Sequence, residues 1–497
     1  MDKINRRNFM VAGAAFTGGM LLAPSVFAGE VVEIPQKWDK EVDIIAIGTG
    51  LAGSMAAIVA KDAGADVILL EKQPYYGGNS IIAGGIWNAV DPKRQKAQGI
   101  EDSIEKHTQQ TLAGGDFRAQ PEKVKYLAEH SLEAYHWMEE IGVPFEEDVF
   151  TGLGSLWPRT HSPIPKSGGT YFKFLKPEVE KRKIPILMEH KVTGIIREEP
   201  LSGDVLGVRV QTGKKNLFFK ARKGVLLASG GFGADVKLRT LHDPRLTANI
   251  PTTNHPGATG EVLVYAQNIG AATMGMDYIQ LLIACNHFSK AFGDYLTSGI
   301  DHAVMLDNNG NRVVAEDSRR DVLANAAFNA PDSFLWWIGE GRTVPTRISA
   351  QQQKAIDNDI CFMADTLEAL AKAMNAKTGV PPEKILASIK KYNEMVAKGE
   401  DTDFGKKPEN MKVLEQPPFK ASPVTPGVHH TMGGLHTNPV TTQVIDREGK
   451  PIGRLYAAGE VTGGVHGTNR LGGNALPDAT VFGRLAGKVL SELENKA

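Results

Sequence analysis

The segment from Gly459 to Leu476 combines residue types that bind ligands through both backbone and side chain. It contains many glycines and several amides, together with one arginine, Arg470, and one acid, Glu460. Glycine lets main-chain N–H groups approach a flat or anionic ligand, and a guanidinium holds a carboxylate through two parallel hydrogen bonds. The segment is too polar for a core strand and too rich in glycine for an ordinary helix. We therefore predict that a cofactor and an anionic substrate meet here.

A glycine pattern near the N-terminus is typical of dinucleotide binding. Gly48, Gly50 and Gly53 form a GxGxxG sequence, and an acid, Glu71, follows about 20 residues later. Such glycines allow a pyrophosphate to lie on a helix N-terminus, and the acid is placed to accept hydrogen bonds from ribose hydroxyls. The surrounding residues predict the strand, helix and strand that this fingerprint requires, at 42–47, 54–63 and 67–70.

Further small residues follow this unit at 77–80 and 83–85. They suit a loop that passes under the rest of a long dinucleotide. A buried strand predicted at 224–228 then meets the glycines of 229–231 and returns the chain to the same sheet. Amphipathic helices are also predicted at 101–112 and 121–141. Residues 205–210 and 216–219 are predicted to form a hairpin.

Length, charge and cysteine content limit the classes of function. The 497 residues are too many for one simple core, so two or three domains are expected. A formal net charge of −1 lacks the basic field that nucleic-acid and membrane-surface binders need. Cys285 and Cys361 are the only cysteines and form no CxxCH motif, so we expect free core thiols, no haem or iron–sulfur cluster, and no metal site.

The first 28 residues have the features of a twin-arginine export signal. Arg6 and Arg7 precede Phe9, a weakly apolar stretch follows, and Ala28 offers a small residue for cleavage. Because this pathway exports folded proteins, a cofactor can be inserted before export, and a periplasmic location is expected. No later apolar run approaches the length of about 20 residues that spans a membrane.

The composition and pattern of the sequence change at 277–428. This part contains a polar turn at 307–311, a group of aromatic residues and two predicted helices, of which the second, 382–398, has one apolar face. We predict an α/β fold in which an inserted α+β capping domain, 277–428, interrupts a Rossmann-like domain. Residues 1–28 are predicted as the signal peptide and 29–40 as a linker. The Rossmann-like domain comprises 41–276 and 429–497.

Together these motifs resemble one known family. Besides the segments above, the chain contains Gly310-Asn311-Arg312, Ser318-Arg319-Arg320-Asp321 and the sequence VHHTMGG at 428–434. The chain is identified as a member of the soluble fumarate reductase and flavocytochrome c family, within the succinate dehydrogenase and fumarate reductase flavoprotein superfamily. It resembles a member without haem, in the branch of FAD-dependent 2-enoate reductases.

The resemblance implies that the Rossmann-like domain binds FAD non-covalently. His429 is expected to be a packing residue or a flavin contact. Beyond the fingerprint glycines, the residues that match the family's FAD contacts are Ala52, Glu71, Asn79, Ser80, Gly84, Gly85, Val192, Glu261, Glu460, Ala475 and Leu476.

The resemblance also implies the residues of the reaction. In this family a hydride from the flavin reaches the β-carbon of an α,β-unsaturated carboxylate, and a cap arginine protonates the α-carbon. Arg320 matches that arginine, and Arg319 is a neighbour that could be confused with it. His430 and Arg470 match the clamp for one substrate carboxylate, to which Gly473 adds a backbone N–H. Because the pKa of arginine ordinarily stays above about 12, an arginine that only polarises the substrate is the alternative.

The cap departs from the family pattern where the second carboxylate of fumarate would bind. An alignment without gaps replaces the family's polar residues there by Leu282, Tyr295, Leu296 and Gly299. Because Leu282 and Leu296 cannot bind a carboxylate, the far end of the substrate is predicted to be neutral, as in acrylate, methacrylate or a cinnamate-like acid. Without the family's polar residues, the sequence does not decide whether Tyr295 or water delivers protons to Arg320.

The sequence leaves several functions open. The leading interpretation is a periplasmic FAD enzyme of anaerobic respiration that reduces the C=C bond of an unsaturated monocarboxylate. Its electrons would come from an external donor, a small periplasmic c-type cytochrome. A fumarate reductase with a rearranged distal site is the first alternative, and in it His287, Asp294 or Tyr295 would supply the polar contact. A ketosteroid-type dehydrogenase and a flavin-binding electron carrier are further alternatives, which the clamp residues His430 and Arg470 disfavour.

Overall fold

The computed structural model describes residues 32–296, 299–343 and 348–496. The predicted export signal, 1–28, and the first residues of the predicted linker lie outside the described residues. Within the described ranges, no helix combines the length and the apolar character needed to cross a membrane.

The elements are numbered in chain order. The strands are β1 (Lys40–Ile47), β2 (Val67–Leu70), β3 (Trp87–Asn88), β4 (Thr160–His161), β5 (Ile186–Leu187), β6 (Lys191–Glu199), β7 (Ser202–Thr212), β8 (Lys215–Leu227), β9 (Thr273–Met274), β10 (Ile279–Asn286), β11 (Ala303–Leu306), β12 (Leu335–Gly339), β13 (Phe362–Ala364), β14 (Phe419–Thr431), β15 (Gly434–Leu435), β16 (Gln443–Ile445) and β17 (Pro451–Ala457). The helices are α1 (Leu51–Asp62), α2 (Gly78–Ile82), α3 (Pro92–Ala97), α4 (Ile104–Gly114), α5 (Pro121–Glu140), α6 (Gly168–Lys181), α7 (Val236–His242), α8 (Glu261–Asn268), α9 (Arg320–Asn329), α10 (Ala350–Asp357), α11 (Leu367–Thr378), α12 (Pro382–Lys398) and α13 (Ala475–Glu492).

A mixed sheet positions the nucleotide-binding loops. Strands β5, β2, β1, β8 and β17 pair in parallel in that order, and β6, β7 and β16 add antiparallel pairs. Side chains of β1 and β2 alternate between two buried clusters, with Ile44 and Leu69 in one and Ile45 and Ile68 in the other. Burial on both faces is typical of parallel strands joined by helices. The carboxyl ends of β1, β2 and β8 therefore lie at one edge, the place where such sheets bind ligands.

The last helix, α13, packs closely on α1 because two glycines face it. A Cβ built at Gly483 would lie 2.5 Å from the carbonyl oxygen of Ala52, and one at Gly487 would lie 2.4 Å from that of Ala56. The two helices therefore touch backbone to backbone. This packing brings the start of α13, at Ala475, to the same cavity as the start of α1.

A second sheet, which is antiparallel, lies in the segment predicted as the cap. Its order is β10, β14, β12 and β11, and β13 also pairs with β14. The apolar face of α12, including Ile389 and Tyr392, packs in one cluster with Trp336 of β12. Strand β14 runs without a break through the expected domain boundary at 428/429, so that boundary stays a prediction.

The structure confirms the α/β class and most of the predicted elements. The strand, helix and strand of the fingerprint are β1, α1 and β2, and the predicted hairpin is β7 with β8. The strand predicted at 224–228 is not separate, because residues 224–227 continue β8. The loop predicted at 77–80 instead begins helix α2. The helix predicted from residue 101 starts at Ile104, because Ser103 caps it by accepting a hydrogen bond from the Lys106 N–H.

The described part of the cap segment contains more helix than predicted. Helices α9, α10, α11 and α12 lie there, where two helices were expected. Cys285 and Cys361 are both buried free thiols, as expected.

Candidate active site

One cavity of about 1390 Å³ is lined by residues of both sheets. Its walls come from β1, β2 and β6 together with their loops, and from β10, β12 and α9 of the cap segment. Single small-molecule sites usually have volumes of about 300–1,000 Å³. This cavity is therefore large enough for a dinucleotide together with a small substrate.

The fingerprint loop forms one end of the cavity. Gly48 has a φ of 107°, and a Cβ there would lie 2.3 Å from the carbonyl oxygen of Ala228, so only glycine fits. Gly50 precedes α1 and gives it no side-chain cap, which leaves N–H groups at the helix start for a ligand. Glu71 lines the cavity, where its carboxylate accepts a hydrogen bond of 2.8 Å from the Thr49 hydroxyl. These positions suit a pyrophosphate and a ribose.

Gly53 differs from the prediction, because it does not line the cavity. A Cβ at this position would lie 2.0 Å from the carbonyl oxygen of Gly48. Gly53 therefore allows α1 to pack closely on the loop after β1 and lies behind the cavity wall. The other residues matched to FAD contacts all line the cavity: Gly48, Gly50, Ala52, Glu71, Asn79, Ser80, Gly84, Gly85, Val192, Glu261, Glu460, Ala475 and Leu476.

Two lysines that sequence reasoning missed hold Glu261 at the cavity wall. Lys72 forms an ion pair with one of its carboxylate oxygens, and Lys191 Nζ lies 2.7 Å from the other. These contacts lower the pKa of Glu261 to about 2, although burial opposes the shift. Lys72 follows Glu71 directly, and that position is the signal that could have identified it.

The cavity wall has free space and a free polar group where a flavin dinucleotide would lie. A Cβ at Gly84 or Gly230 would meet no atom within 4 Å. The hydroxyl of Ser229, which also lines the cavity, is buried without a hydrogen-bond partner. The residues present therefore fit an FAD, because the group would supply a partner for this hydroxyl and cover the open glycine backbone.

Arg320 begins helix α9 and faces the opposite part of the cavity. Its Nη1 donates a hydrogen bond of 2.8 Å to Gln280 Oε1, and its Nη2 donates one of 3.0 Å to the carbonyl oxygen of Leu153. Desolvation and the charge of Arg470 lower the pKa of Arg320 to about 9. This guanidinium is therefore a stronger acid than an arginine in water.

Arg319, the neighbour that could be confused with it, is bound differently. Its guanidinium forms paired hydrogen bonds with Asp116 and with Asp321, and these carboxylates raise its pKa. The structure thus separates the two arginines. Arg319 is an exposed ion-pairing residue, and Arg320 has an Nε atom that is buried without a partner.

The clamp residues lie together in the same cavity. Arg470 and His430 are 6% and 7% exposed, and both line the wall, as does Gly473. The Nε of Arg470 is buried without a partner, while one Nη donates to the carbonyl oxygen of Leu471. Burial lowers the pKa of Arg470 to about 10. A buried guanidinium with a free donor is suited to a carboxylate ligand.

The two histidines of the VHHTMGG sequence have different partners. His429 lines the cavity, and its Nδ1 lies 2.7 Å from the Thr253 hydroxyl. The Nδ1 of His430 lies 3.6 Å from Glu460 Oε1. Burial and the charge of Arg470 hold the pKa of both histidines well below the usual value, so both rings are neutral at neutral pH.

The distal wall is mainly apolar and also contains the Trp337 Nε1, a buried donor without a partner, but one predicted residue is absent from it. Leu282 and Tyr295 line the cavity, and Tyr295 stacks on Trp337, which also lines it, with ring centroids 5.9 Å apart. Leu296 does not line the cavity, because its side chain packs with Ala355 and Cys361 on the other side of the chain. The structure therefore does not place Leu296 at the cavity wall, where it was predicted to contact the substrate.

Gln280 supports the site from behind the cavity wall, and sequence reasoning missed it. It is 4% exposed in β10, where its Oε1 accepts from Arg320 and its Nε2 donates to the carbonyl oxygen of Arg470 at 2.8 Å. It therefore connects the cap arginine to the clamp segment. A single amide within the apolar run IQLLIAC was the signal that could have identified it.

Known proteins resemble this chain over most of its length. The family described as FAD binding domain matches residues 43–476. A probable fumarate reductase of Shewanella frigidimarina is 35% identical over 449 residues, which cover 89% of this chain and 74% of that protein. The acrylate reductase flavoprotein subunit of Shewanella woodyi is 32% identical over 514 residues, which cover 99% of each chain.

Among solved structures, the open conformation of a flavocytochrome c3 fumarate reductase has a TM-score of 0.77. It is 31% identical and is matched over 99% of this chain and 81% of its own. The family match, the relatives and the shape of the cavity lead to the same conclusion. This chain belongs to the FAD-binding flavoprotein family of the fumarate and acrylate reductases, and it is an FAD-dependent oxidoreductase.

Proposed function

We propose that this protein reduces the C=C bond of an α,β-unsaturated monocarboxylate. The observation that carries the proposal is the composition of one cavity. It contains a clamp of Arg470 and the neutral His430, the cap arginine Arg320, and a mainly apolar distal wall with Leu282 and Trp337. A carboxylate bound at the clamp would leave the rest of a small acid against apolar side chains.

The clamp would orient the substrate and draw charge from its double bond. Bound FAD would supply the hydride that reaches the β-carbon. Arg470 would hold the carboxylate through its guanidinium, which stabilises the negative charge that develops on this group in the transition state. Arg320 would donate a proton to the α-carbon, and its pKa of about 9 makes this transfer easier than for an ordinary arginine.

The distal wall would decide between monocarboxylates and fumarate. A second carboxylate placed against Leu282 and Trp337 would lose its hydration without gaining a cationic partner. The Shewanella woodyi relative, which matches over 99% of each chain and is named for acrylate, supports a monocarboxylate. The relatives named fumarate reductase support the alternative, in which this chain reduces fumarate with a different distal contact.

An external protein would supply the electrons, and we propose a small c-type cytochrome in the periplasm. The twin-arginine sequence at the start of the chain supports export. The name of the Shewanella woodyi relative, a flavoprotein subunit, supports a separate electron donor.

The substrate is tested by steady-state assays with reduced viologen as donor. Acrylate, methacrylate, cinnamate, urocanate and fumarate are compared by kcat/KM. We expect a monocarboxylate to exceed fumarate by at least about 100-fold, which corresponds to about 3 kcal/mol for an unpaired buried charge. A preference for fumarate would contradict the proposal and favour the alternative.

The variant Leu282→His tests the distal wall directly. It places a donor where the wall is apolar, so kcat/KM for fumarate should rise by about tenfold or more relative to kcat/KM for acrylate. Leu282→Met is the matched control, because it keeps an apolar side chain and should leave the ratio unchanged.

A further inference from the structure

We propose that Glu460 is a positioning residue of the carboxylate clamp, whose protonation sets which ring nitrogen of His430 carries the N–H, so that an anionic substrate binds together with one proton. This inference rests on the proposed function, since it concerns the same carboxylate site. Glu460 is matched to an FAD contact by resemblance alone, and the contact with His430 gives it a second role. The two side chains are 3.6 Å apart at Oε1 and Nδ1.

The carboxyl group of Glu460 is held in a fixed position. Its Oε1 accepts hydrogen bonds from the backbone N–H and the hydroxyl of Thr431, at 3.0 and 3.3 Å. A Cβ built at Gly231 would lie 2.6 Å from the same oxygen, so no other side chain fits there. Glu460 is 14% exposed and lines the cavity. The oxygen that faces His430 is therefore confined by the backbone on two sides.

The number of protons on this pair decides what His430 offers the substrate. A neutral imidazole carries one N–H, and the charge of an ionised Glu460 favours placing it on Nδ1. Nε2 then carries a lone pair and no proton, so it repels a carboxylate. One added proton on Glu460 removes this charge, and the imidazole N–H is then free to move to Nε2. Only the protonated pair therefore gives the clamp a second donor beside Arg470.

The charges around the pair place this proton near neutral pH. Burial raises the pKa of Glu460 to about 7, and Asp478 adds to the shift, while Thr431 and Arg470 oppose it. On the histidine, Arg470, Arg320, His466 and His429 all disfavour a positive charge. The added proton therefore resides on Glu460. Below about pH 7 the free enzyme already carries it, and above that pH substrate binding must take it up.

Binding to the oxidised holoenzyme tests the coupling without turnover. The probe is the acid that performs best in the substrate panel, and binding is followed by the change in flavin absorbance. We expect Kd to be constant below about pH 7 and to rise about tenfold per pH unit above it. Calorimetry in two buffers of different ionisation enthalpy should show uptake of about one proton at about pH 8 and none at about pH 6.

Glu460→Gln separates the proton from the position of the side chain. Its side chain keeps an oxygen for the Thr431 donors and cannot ionise, so no charge holds the imidazole N–H on Nδ1 at any pH. We expect this variant to keep FAD, judged by flavin absorbance, and to bind the acid with a Kd that does not change with pH and without proton uptake. A wild-type Kd that is independent of pH, or a Glu460→Gln variant that keeps the wild-type pH dependence, would overturn the inference.

An infrared difference spectrum tests the pair without any substrate. Between about pH 6 and about pH 8, the wild-type holoenzyme should lose the C=O band of one protonated carboxyl group, and Glu460→Gln should lack that band. If no such band titrates in the wild-type protein, the inference is wrong. Failure of every acid to bind would instead reject the proposed function, so the two failures are distinguishable.

Discussion

At the scale of single residues, Arg320 is an arginine whose surroundings favour acid chemistry. It is desolvated, its Nε lacks a partner, and the charge of Arg470 acts on it. A general acid works best when its pKa lies near the working pH, and a pKa of about 9 is much closer to it than the usual value. Arg320 is therefore a stronger acid than an ordinary arginine, whose high pKa disfavours such a role.

Replacement of Arg320 by Ala should leave FAD bound and lower kcat by about 10²–10⁴-fold, the usual contribution of a general acid. Flavin absorbance and steady-state rates measure the two effects. Arg319→Gln is the matched control, because exposed ion pairs such as those with Asp116 and Asp321 contribute little. Its kcat should stay within about tenfold of the wild type. An Arg320→Ala protein with unchanged turnover would remove this residue from the mechanism.

The same pKa gives kcat/KM a defined pH dependence. Arg320 is protonated and able to donate below about pH 9, and it loses that proton above it. Because kcat/KM reports the ionisations of the free enzyme, its fall with pH should become steeper by about a further tenfold per pH unit above about pH 9. This limb is distinct from the rise of Kd above about pH 7. A kcat/KM profile without this second limb up to about pH 10 would contradict the role of Arg320 as acid.

At the scale of elements, a buried ionic network holds the segment that leads into α9. Arg312 donates to Glu316 at 2.9 Å and to Asp401 at 2.9 and 3.0 Å. Lys406 Nζ lies 3.2 Å from Glu316 Oε2 and donates to the carbonyl oxygen of Ala303 at 3.0 Å. Glu316 also lines the cavity. The network therefore fixes the chain only four positions before Arg320.

Lys406→Met should destabilise the protein, because it leaves Glu316 buried with less positive charge. Breaking such a pair typically costs about 3–5 kcal/mol, measurable as a lower midpoint of denaturant unfolding. Lys407→Met is the matched control, since the neighbouring lysine is exposed and should change stability by about 0.5 kcal/mol or less. Equal midpoints for the two variants would show that the network contributes little.

At the scale of the whole molecule, the main cavity is walled by both sheets. A ligand that binds only the folded protein stabilises it, by about 4 kcal/mol when its free concentration is 1,000 times Kd. Because FAD would contact β1, the start of α1 and the start of α13, its removal should loosen the first sheet.

Removal of FAD should therefore lower Tm, and addition of FAD should restore it in a concentration-dependent way. Differential scanning calorimetry of the holoprotein, the apoprotein and the reconstituted protein measures the effect. FMN is the control, because it cannot fill the fingerprint end of the cavity and should restore less. Equal Tm values with and without FAD would contradict this role for the cavity.

The sequence predicted the local units well. The fingerprint of β1, α1 and β2, the hairpin of β7 and β8, and helix α12 were all found where expected, because each depends on residues close together in the chain. The helix at 101 was misplaced because a single side chain, Ser103, decides where it starts. Resemblance supplied Arg320, His430 and Arg470, and the structure places all three in one cavity.

By itself, the sequence determined that the chain has a dinucleotide fold and a segment rich in groups that bind anions. Only the tertiary structure decided which side chains meet. It turned Tyr295 toward the cavity and its neighbour Leu296 away, joined Gln280 to Arg320, and placed Glu460 beside His430. The physical reason is that local patterns fix the direction of the backbone, whereas contacts between distant segments depend on how the two sheets and α9 pack together.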